Sequence, residues 1–169
     1  KTRKDTKFVS INPVKTGYSA IADEWLGIRP GTDGLFIHSI IYELLKANKI
    51  DWKYLQRYTN ANWLVINNPG KSDHGLFIRD KNKNPLIFCK KNKQIQNISI
   101  KVSQPSFFGN YVYNEKNLIP AFELITKDLL NDEFKPSKVS SQIDIDENVI
   151  KRIASEIAET AFEKEIELP

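Results

Sequence analysis

The chain has 169 residues, enough for one domain with a substantial core and short for two. With 40% hydrophobic and 27% charged residues it is neither disordered nor fibrous in composition, and no apolar run reaches the length that a bilayer-spanning helix needs. The formal charge of +4, from 25 basic and 21 acidic residues, is scattered through loops such as Lys81-Asn-Lys83 and Lys90-Lys-Asn-Lys93. Such loops are solvated edges rather than a binding face, so neither a nucleic-acid partner nor direct membrane insertion is expected.

In chain order, Phe8-Val-Ser-Ile11 is a β-branched and aromatic run stopped by Asn12-Pro13, and it predicts a buried, parallel interior strand. Residues 14–33 predict a connection, with a single helical turn over Ala20-Ile-Ala-Asp-Glu-Trp25. From Gly34 to about Asn48 the apolar positions Leu35, Phe36, Ile37, Ile40, Ile41, Leu44 and Leu45 recur at helical spacing, which predicts a buried helix packed on that sheet. A short helix over Trp52–Tyr58 and a strand over Trp63–Ile66 follow, then a turn at Asn67-Asn-Pro-Gly70. Gly75–Arg79 and Pro85–Cys89 flank the polar Asp80-Lys-Asn-Lys-Asn84 and predict a hairpin. Ile95–Val102 and Tyr111–Tyr113 predict further strands, Ala121–Leu130 a helix. Asp146 is placed to cap a last helix with the stripe Val149, Ile150, Ile153, Ala154, Ile157, Ala158 and Ala161. The pattern predicts one α/β domain over 1–169, with 64–118 as a β-rich insertion. No internal repeat or low-complexity block interrupts it.

Cys89 is the only cysteine and lies in an apolar run, which favours a buried inert thiol; His38 and His74 are the only histidines and are distant in sequence. No metal site or catalytic role is expected of these three residues. A chain without methionine that opens Lys1-Thr-Arg-Lys4 is expected to be a segment of a longer protein, and it offers no leader from which to read localisation.

The stretch Ile28-Arg-Pro-Gly-Thr-Asp-Gly-Leu-Phe36 carries the chemistry. Asn12 falls at the carboxyl end of the first strand, where α/β sheets gather ligands. Gly31 lets the backbone approach a ligand closely, Pro30 stiffens that approach, and Asp33 stands at the start of a helix. A carboxylate accepts two hydrogen bonds side by side, which matches the N1–H and 2-amino edge of guanine. Thr32 or Asp33 as a plain helix cap explains the same letters, and neither the glycine-rich dinucleotide fingerprint nor a phosphate loop is present.

Phe8-Val-Ser-Ile-Asn-Pro13, Ala22-Asp-Glu-Trp-Leu26 and Ile28-Arg-Pro-Gly-Thr-Asp33 with its helix together resemble the molybdopterin oxidoreductases of the dimethyl sulfoxide reductase family. There a strand ending Asp-Pro-Arg, then Ala-Asp-x-Trp-Leu, then Arg- or Lys-Pro-Gly-Thr-Asp precede an apolar helix. Ile50-Asp-Trp-Lys-Tyr-Leu-Gln-Arg-Tyr-Thr-Asn60 resembles the family's next segment, and Ile145–Ile157 its Ile-x-x-x-x-Ile-Arg-Arg-Leu-Ala helix. The resemblance brackets nearly the whole chain and is least specific in the middle. It implies a Rossmann-like domain with a β-hairpin-rich insertion, holding the guanosine end of one bis-molybdopterin guanine dinucleotide of molybdenum or tungsten. Asp33 would read the guanine, with Asn12, Pro13, Lys15 and Thr16 near the guanosine, while Pro30, Gly31 and Thr32 carry the backbone past the base. Asn12 replaces the family's usual Asp and Val14 its usual Arg.

The resemblance also implies that the iron-sulfur cluster lies outside this segment and that the segment supplies no metal ligand and no catalytic residue. The parent catalytic polypeptide would be an oxidoreductase, the isolated fragment inactive, and its partners the remaining domains of that polypeptide together with an electron-transfer subunit. Periplasm and cytoplasm of a bacterium both fit. Asn12-Pro-Val14 and Tyr58-Thr-Asn-Ala-Asn-Trp63 lean toward reductases of sulfur oxyanions, of the tetrathionate, thiosulfate or polysulfide type, with formate dehydrogenases close behind. A different class stands against this: a non-enzymatic interaction module whose surface is the Phe77 and Phe88 hairpin, helped by Phe107, Phe108, Tyr111 and Tyr113.

Overall fold

The computed structural model describes residues 6–98 and 104–163. In chain order the elements are β1 (Val9–Ile11), a 3-10 turn (Gly17–Ile21), β2 (Glu24–Leu26), α1 (Asp33–Lys46), α2 (Trp52–Tyr58), β3 (Leu64–Ile66) and β4 (Leu86–Cys89). They continue with β5 (Gln94–Asn97), β6 (Tyr111–Tyr113), β7 (Lys116–Pro120), α3 (Ala121–Leu129), a second 3-10 turn (Asp132–Phe134), α4 (Pro136–Ile143) and α5 (Glu147–Phe162). The described residues fall into two compact units, 6–49 with 129–163, and 50–98 with 104–128.

In the first unit β1 and β2 pair in parallel, Val9 opposite Glu24 and Ile11 opposite Leu26. Among the described residues this sheet has two strands, so β1 is parallel as expected but is neither flanked on both sides nor buried: Val9–Ile11 are half-buried and Phe8 is exposed. The single turn expected over 20–25 is divided: residues 17–21 form the 3-10 turn and 24–26 become strand. Anchors at both ends of the segment explain this. The Asp23 carboxylate accepts from the Phe8 N–H at 2.7 Å. At the other end the Asn12 N–H donates to Leu26 O at 3.1 Å and the Trp25 indole to Asn12 O at 2.9 Å.

Phe36 and Ile40 of α1 enter a core with Ile28, Val139, Ile143, Ile145, Ile150, Ile153 and Ala154, against which Val9, Ile11 and Leu26 pack. The helix expected from Gly34 thus forms one residue earlier and ends at Lys46. α4 has no apolar run long enough to announce it. Pro136 sits in its first turn, where the missing N–H costs nothing and the fixed φ suits a helix start. α5 begins at the expected cap, the Asp146 carboxylate accepting from the Asn148 N–H at 2.8 Å. Its stripe is narrower than the sequence suggests: Ile150, Ile153, Ala154 and Ala158 are buried, whereas Ile157 is 44% exposed. Four charges tie the sheet to this helix. Lys7 meets Glu24 at 2.8 Å and Glu156 at 3.0 Å, while Arg152 meets Glu156 at 2.6 Å and also pairs with Glu24.

The second unit is β-rich and extends beyond 64–118 at both ends. It holds an antiparallel sheet in the order β3-β7-β6 and the hairpin β4-β5. Leu64, Ile66, Leu86 and Leu118 form one of its cores, Val65, Ile119 and Ala121 another. The hairpin expected between 75–79 and 85–89 is reduced to a bridge from Arg79 to Pro85 and a bond from the Leu86 N–H to Ile78 O. The regular ladder instead joins β4 to β5, Leu86 opposite Asn97 and Cys89 opposite Gln94. Asp80 explains the difference. Its carboxylate accepts from the backbone of Asn82 and Asn84 and from the side chains of Asn84 and Asn97, which closes the 80–84 loop on itself. These donors outweigh the upward pull of desolvation and hold the Asp80 carboxyl below the usual aspartate range. Of the strand expected over Ile95–Val102, the part to Asn97 is present and 99–102 lie outside the described residues.

β7 has no counterpart in the sequence expectation. It returns from β6 through Asn114 and Glu115, both at positive φ (47° and 61°), as in the two-residue turns that match strand twist. Glycine usually marks such turns in a sequence, and here it is absent.

Candidate cofactor-binding loops

Parallel pairing places the carboxyl ends of β1 and β2 side by side, so the two groups of candidate residues leave the sheet at the same end. The first loop starts at Asn12, whose side-chain oxygen accepts from the Val14 N–H at 3.0 Å. That bond turns the chain immediately after the strand and uses one face of the Asn12 amide internally. The Thr16 N–H donates to Val14 O at 3.0 Å, and the Lys15 ammonium lies 5.9 Å from the Trp25 ring centroid. Asn12, Pro13, Lys15 and Thr16 are all exposed.

The second loop starts from Ile28, which is buried at 3% exposure and anchors the segment in the core. Beyond it the backbone turns tightly. Arg29 O accepts from the Thr32 N–H at 3.3 Å and from the Thr32 hydroxyl at 2.7 Å, and Gly31 at the bend has a φ of 79°. This is the region where an L side chain is strained, so glycine is required by the turn itself. Apart from Gly31 and its two chain neighbours, no atom of the described residues lies within 4 Å of where a Cβ at Gly31 would stand, so the backbone there is open to approach.

The start of α1 carries no side-chain cap. Thr32 is the cap residue of α1 by position, yet its hydroxyl donates backward to Arg29 O and makes no side-chain cap bond. Asp33 is the first helical residue, exposed, and its carboxylate accepts no hydrogen bond among the described residues. An acid in the first turn gains from the helix dipole, but that gain leaves both oxygens available to a ligand. The two loops thus present a two-oxygen acceptor with an exposed glycine beside it, and an ammonium, a hydroxyl and an amide on the neighbouring loop.

Cys89 is buried, His38 packs against the Phe134 ring at 4.7 Å, and His74 Nδ1 accepts from the Asn68 N–H at 3.0 Å. Among the described residues no group of three or more His, Cys, Asp or Glu could hold a metal ion. The aromatic residues offered to a partner by the competing reading are used in packing within their unit. Phe77 meets Trp63 edge to face at 5.4 Å, Phe88 stacks on Tyr111 at 4.0 Å, and Phe107 is buried against Trp52.

Sequence reasoning missed the support beneath these loops. Trp25 bonds Asn12 O, and Arg29 makes a two-pronged pair with Asp144. The second pair joins residues 115 apart, and no local pattern signals a contact of that separation.

The two loops leave the carboxyl ends of paired parallel strands, where α/β sheets gather ligands, and one carries a carboxylate with no hydrogen-bond partner among the described residues. The chain is 37% identical over 177 residues to a sulfite dehydrogenase subunit of Allochromatium vinosum, a match that covers 99% of this chain and 18% of that protein. It is 35% identical over 77 residues to the nitrate-inducible formate dehydrogenase major subunit of Escherichia coli, covering 46% of this chain and 8% of that protein. To the dimethyl sulfoxide reductase DmsA of Haemophilus influenzae it is 34% identical over 59 residues, 34% of this chain and 7% of that one. No protein-family model matches it. The chain belongs to the molybdopterin oxidoreductases of the dimethyl sulfoxide reductase family. It spans 18% of the length of that sulfite dehydrogenase polypeptide.

Proposed function

We propose that this segment binds the guanosine end of a molybdopterin guanine dinucleotide in a Rossmann-like unit, and that its parent is an oxidoreductase of sulfur oxyanions. Asp33 accepts from guanine N1–H and the 2-amino group, Gly31 and Thr32 pass beside the base, and Asn12, Lys15 and Thr16 face the ribose and phosphates. The exposed, unengaged Asp33 carboxylate supports the first half of this reading. The second half rests on coverage: the similarity to the sulfite dehydrogenase polypeptide runs through 99% of this chain, that to the formate dehydrogenase through 46%.

When bound, the pterin-held molybdenum or tungsten would supply the two-electron chemistry. The residues of this segment bind and orient; the reacting centre, an iron-sulfur cluster and an electron-transfer subunit belong to the rest of the assembly. The isolated 169-residue chain is accordingly inactive. The test is turnover by the purified full-length protein of sulfite, tetrathionate, thiosulfate and formate with a redox dye. Turnover of a sulfur oxyanion is expected. Turnover of formate alone would overturn the assignment of the parent.

A further inference from the structure

Asp33 is useful to a ligand only if the turn before it is held, and Arg29 is where that turn is attached. The Arg29 N–H donates to Ile143 O, the last residue of α4, at 3.0 Å. Its guanidinium donates to Asp144 through Nε at 3.1 Å and Nη2 at 2.8 Å, a two-pronged geometry that fixes direction as well as distance. Its carbonyl in turn holds the Thr32 N–H and hydroxyl. One residue thus grips the end of α4 with its amide and side chain, and the Asp33-bearing turn with its carbonyl.

Asp144 is notable in its own right. It terminates α4 at a φ of 63°, a position where helices ordinarily place glycine or asparagine. The aspartate stands there although both partners are about half exposed, 51% for Arg29 and 59% for Asp144, and exposed pairs contribute little to stability. An exposed pair of this kind adds little stability, yet its two-pronged geometry fixes the direction of the Arg29 side chain.

We propose that Arg29 and Asp144 are positioning residues for Asp33: their pair locks the Pro30–Thr32 turn so that the carboxylate meets both donors of guanine together. The proposal rests on the reading of Asp33 as the guanine acceptor. It assigns guanine selectivity to a contact between the strand-end loop and the α4–α5 junction, outside the stretch that touches the base.

The experiment uses full-length protein produced without cofactor and titrates it with GMP and with IMP, which lacks the 2-amino group. Loss of one charge-assisted hydrogen bond corresponds to about tenfold or more in affinity, so the parental protein should prefer GMP by about that factor. Asp33→Asn should abolish the preference. Arg29→Lys keeps the charge but loses the fork, and Asp144→Gly relieves the backbone while removing the carboxylate. Each should reduce the preference to about threefold or less, with the unfolding midpoint of Asp144→Gly at or above the parental one. If Asp33→Asn loses the preference while Arg29→Lys and Asp144→Gly retain it, the positioning role is wrong and the Asp33 reading stands. If both lose it only together with a large fall in midpoint, the pair is structural and the proposal fails. If the parental protein does not distinguish GMP from IMP, or Asp33→Asn still does, the Asp33 reading falls and takes this proposal with it.

Discussion

Ile150 offers the strongest test of how the first unit is held together. Its side chain is fully buried between α1, α4 and α5, in the cluster with Phe36, Ile40, Val139 and Ile143. Ile150→Ala removes three carbons, about 2.4 kcal/mol at about 0.8 kcal/mol each, and incomplete collapse of the space left behind brings the cost to about 3 kcal/mol. Ile150→Val, one carbon smaller, should cost about 1 kcal/mol. Ile157 lies two turns further along the same helix but is 44% exposed, so Ile157→Ala should cost about 1 kcal/mol or less. Native-state hydrogen exchange at the amides of Ile40 and Ala154 reads these differences as changes in opening free energy. The packing account is refuted if Ile150→Ala costs under about 1 kcal/mol, or if Ile157→Ala costs as much as Ile150→Ala.

Two further outcomes follow from charge and backbone. The Lys7 ammonium first, and Arg152 after it, hold the Glu24 carboxyl below its ordinary value, while Arg152 and then Lys7 do so for Glu156. A depressed carboxyl contributes stability above its unfolded value that is lost as pH falls through the lower folded one. Stability of this unit should therefore decline from about pH 4.5 downward, and Arg152→Met should make that decline shallower in acid titrations followed by circular dichroism. An unchanged acid profile in the variant would show that the network does not set it. In the β6–β7 turn, Glu115→Gly relieves a non-glycine residue at positive φ at some entropic cost, a net gain of about 0.5–1 kcal/mol readable by exchange at Leu118. A loss there would mean the glutamate side chain contributes more than its backbone position costs.

What the sequence reveals and what it hides divide along physical lines. α1 and α5 are legible because Phe36, Ile40, Ile150, Ile153 and Ala154 repeat at helical spacing and bury one face. β1 is legible because Asn12-Pro13 ends an apolar run. β2 is not, because Glu24-Trp-Leu26 is three residues long and becomes strand only by pairing with β1 across the connection. α4 is hidden by its polar composition, and β7 by a turn that carries Asn-Glu instead of Asn-Gly. The hairpin lies one turn later than the sequence suggests because the Asp80 loop and the Lys90–Lys93 turn are both polar and lysine-rich. Only the set of amide donors around Asp80 distinguishes them. At the candidate site the motif from Ile28 to Asp33 is visible in one glance along the chain. Its attachment to Asp144 is visible only once the chain is folded.

The central claim is that the Asp33 carboxylate receives guanine, and one measurement addresses it most directly: GMP released by acid from purified full-length protein, per folded polypeptide, for the parent and Asp33→Asn. The substitution keeps the size of the side chain but sets an amide donor against two donors, and charge-assisted hydrogen bonds contribute about 1.5–3 kcal/mol each. The account predicts that guanine nucleotide falls well below the parental level while the unfolding midpoint stays where it was. Parental GMP content in Asp33→Asn would contradict it, and would leave Asp33 as an exposed acid that does no more than complement the first turn of α1.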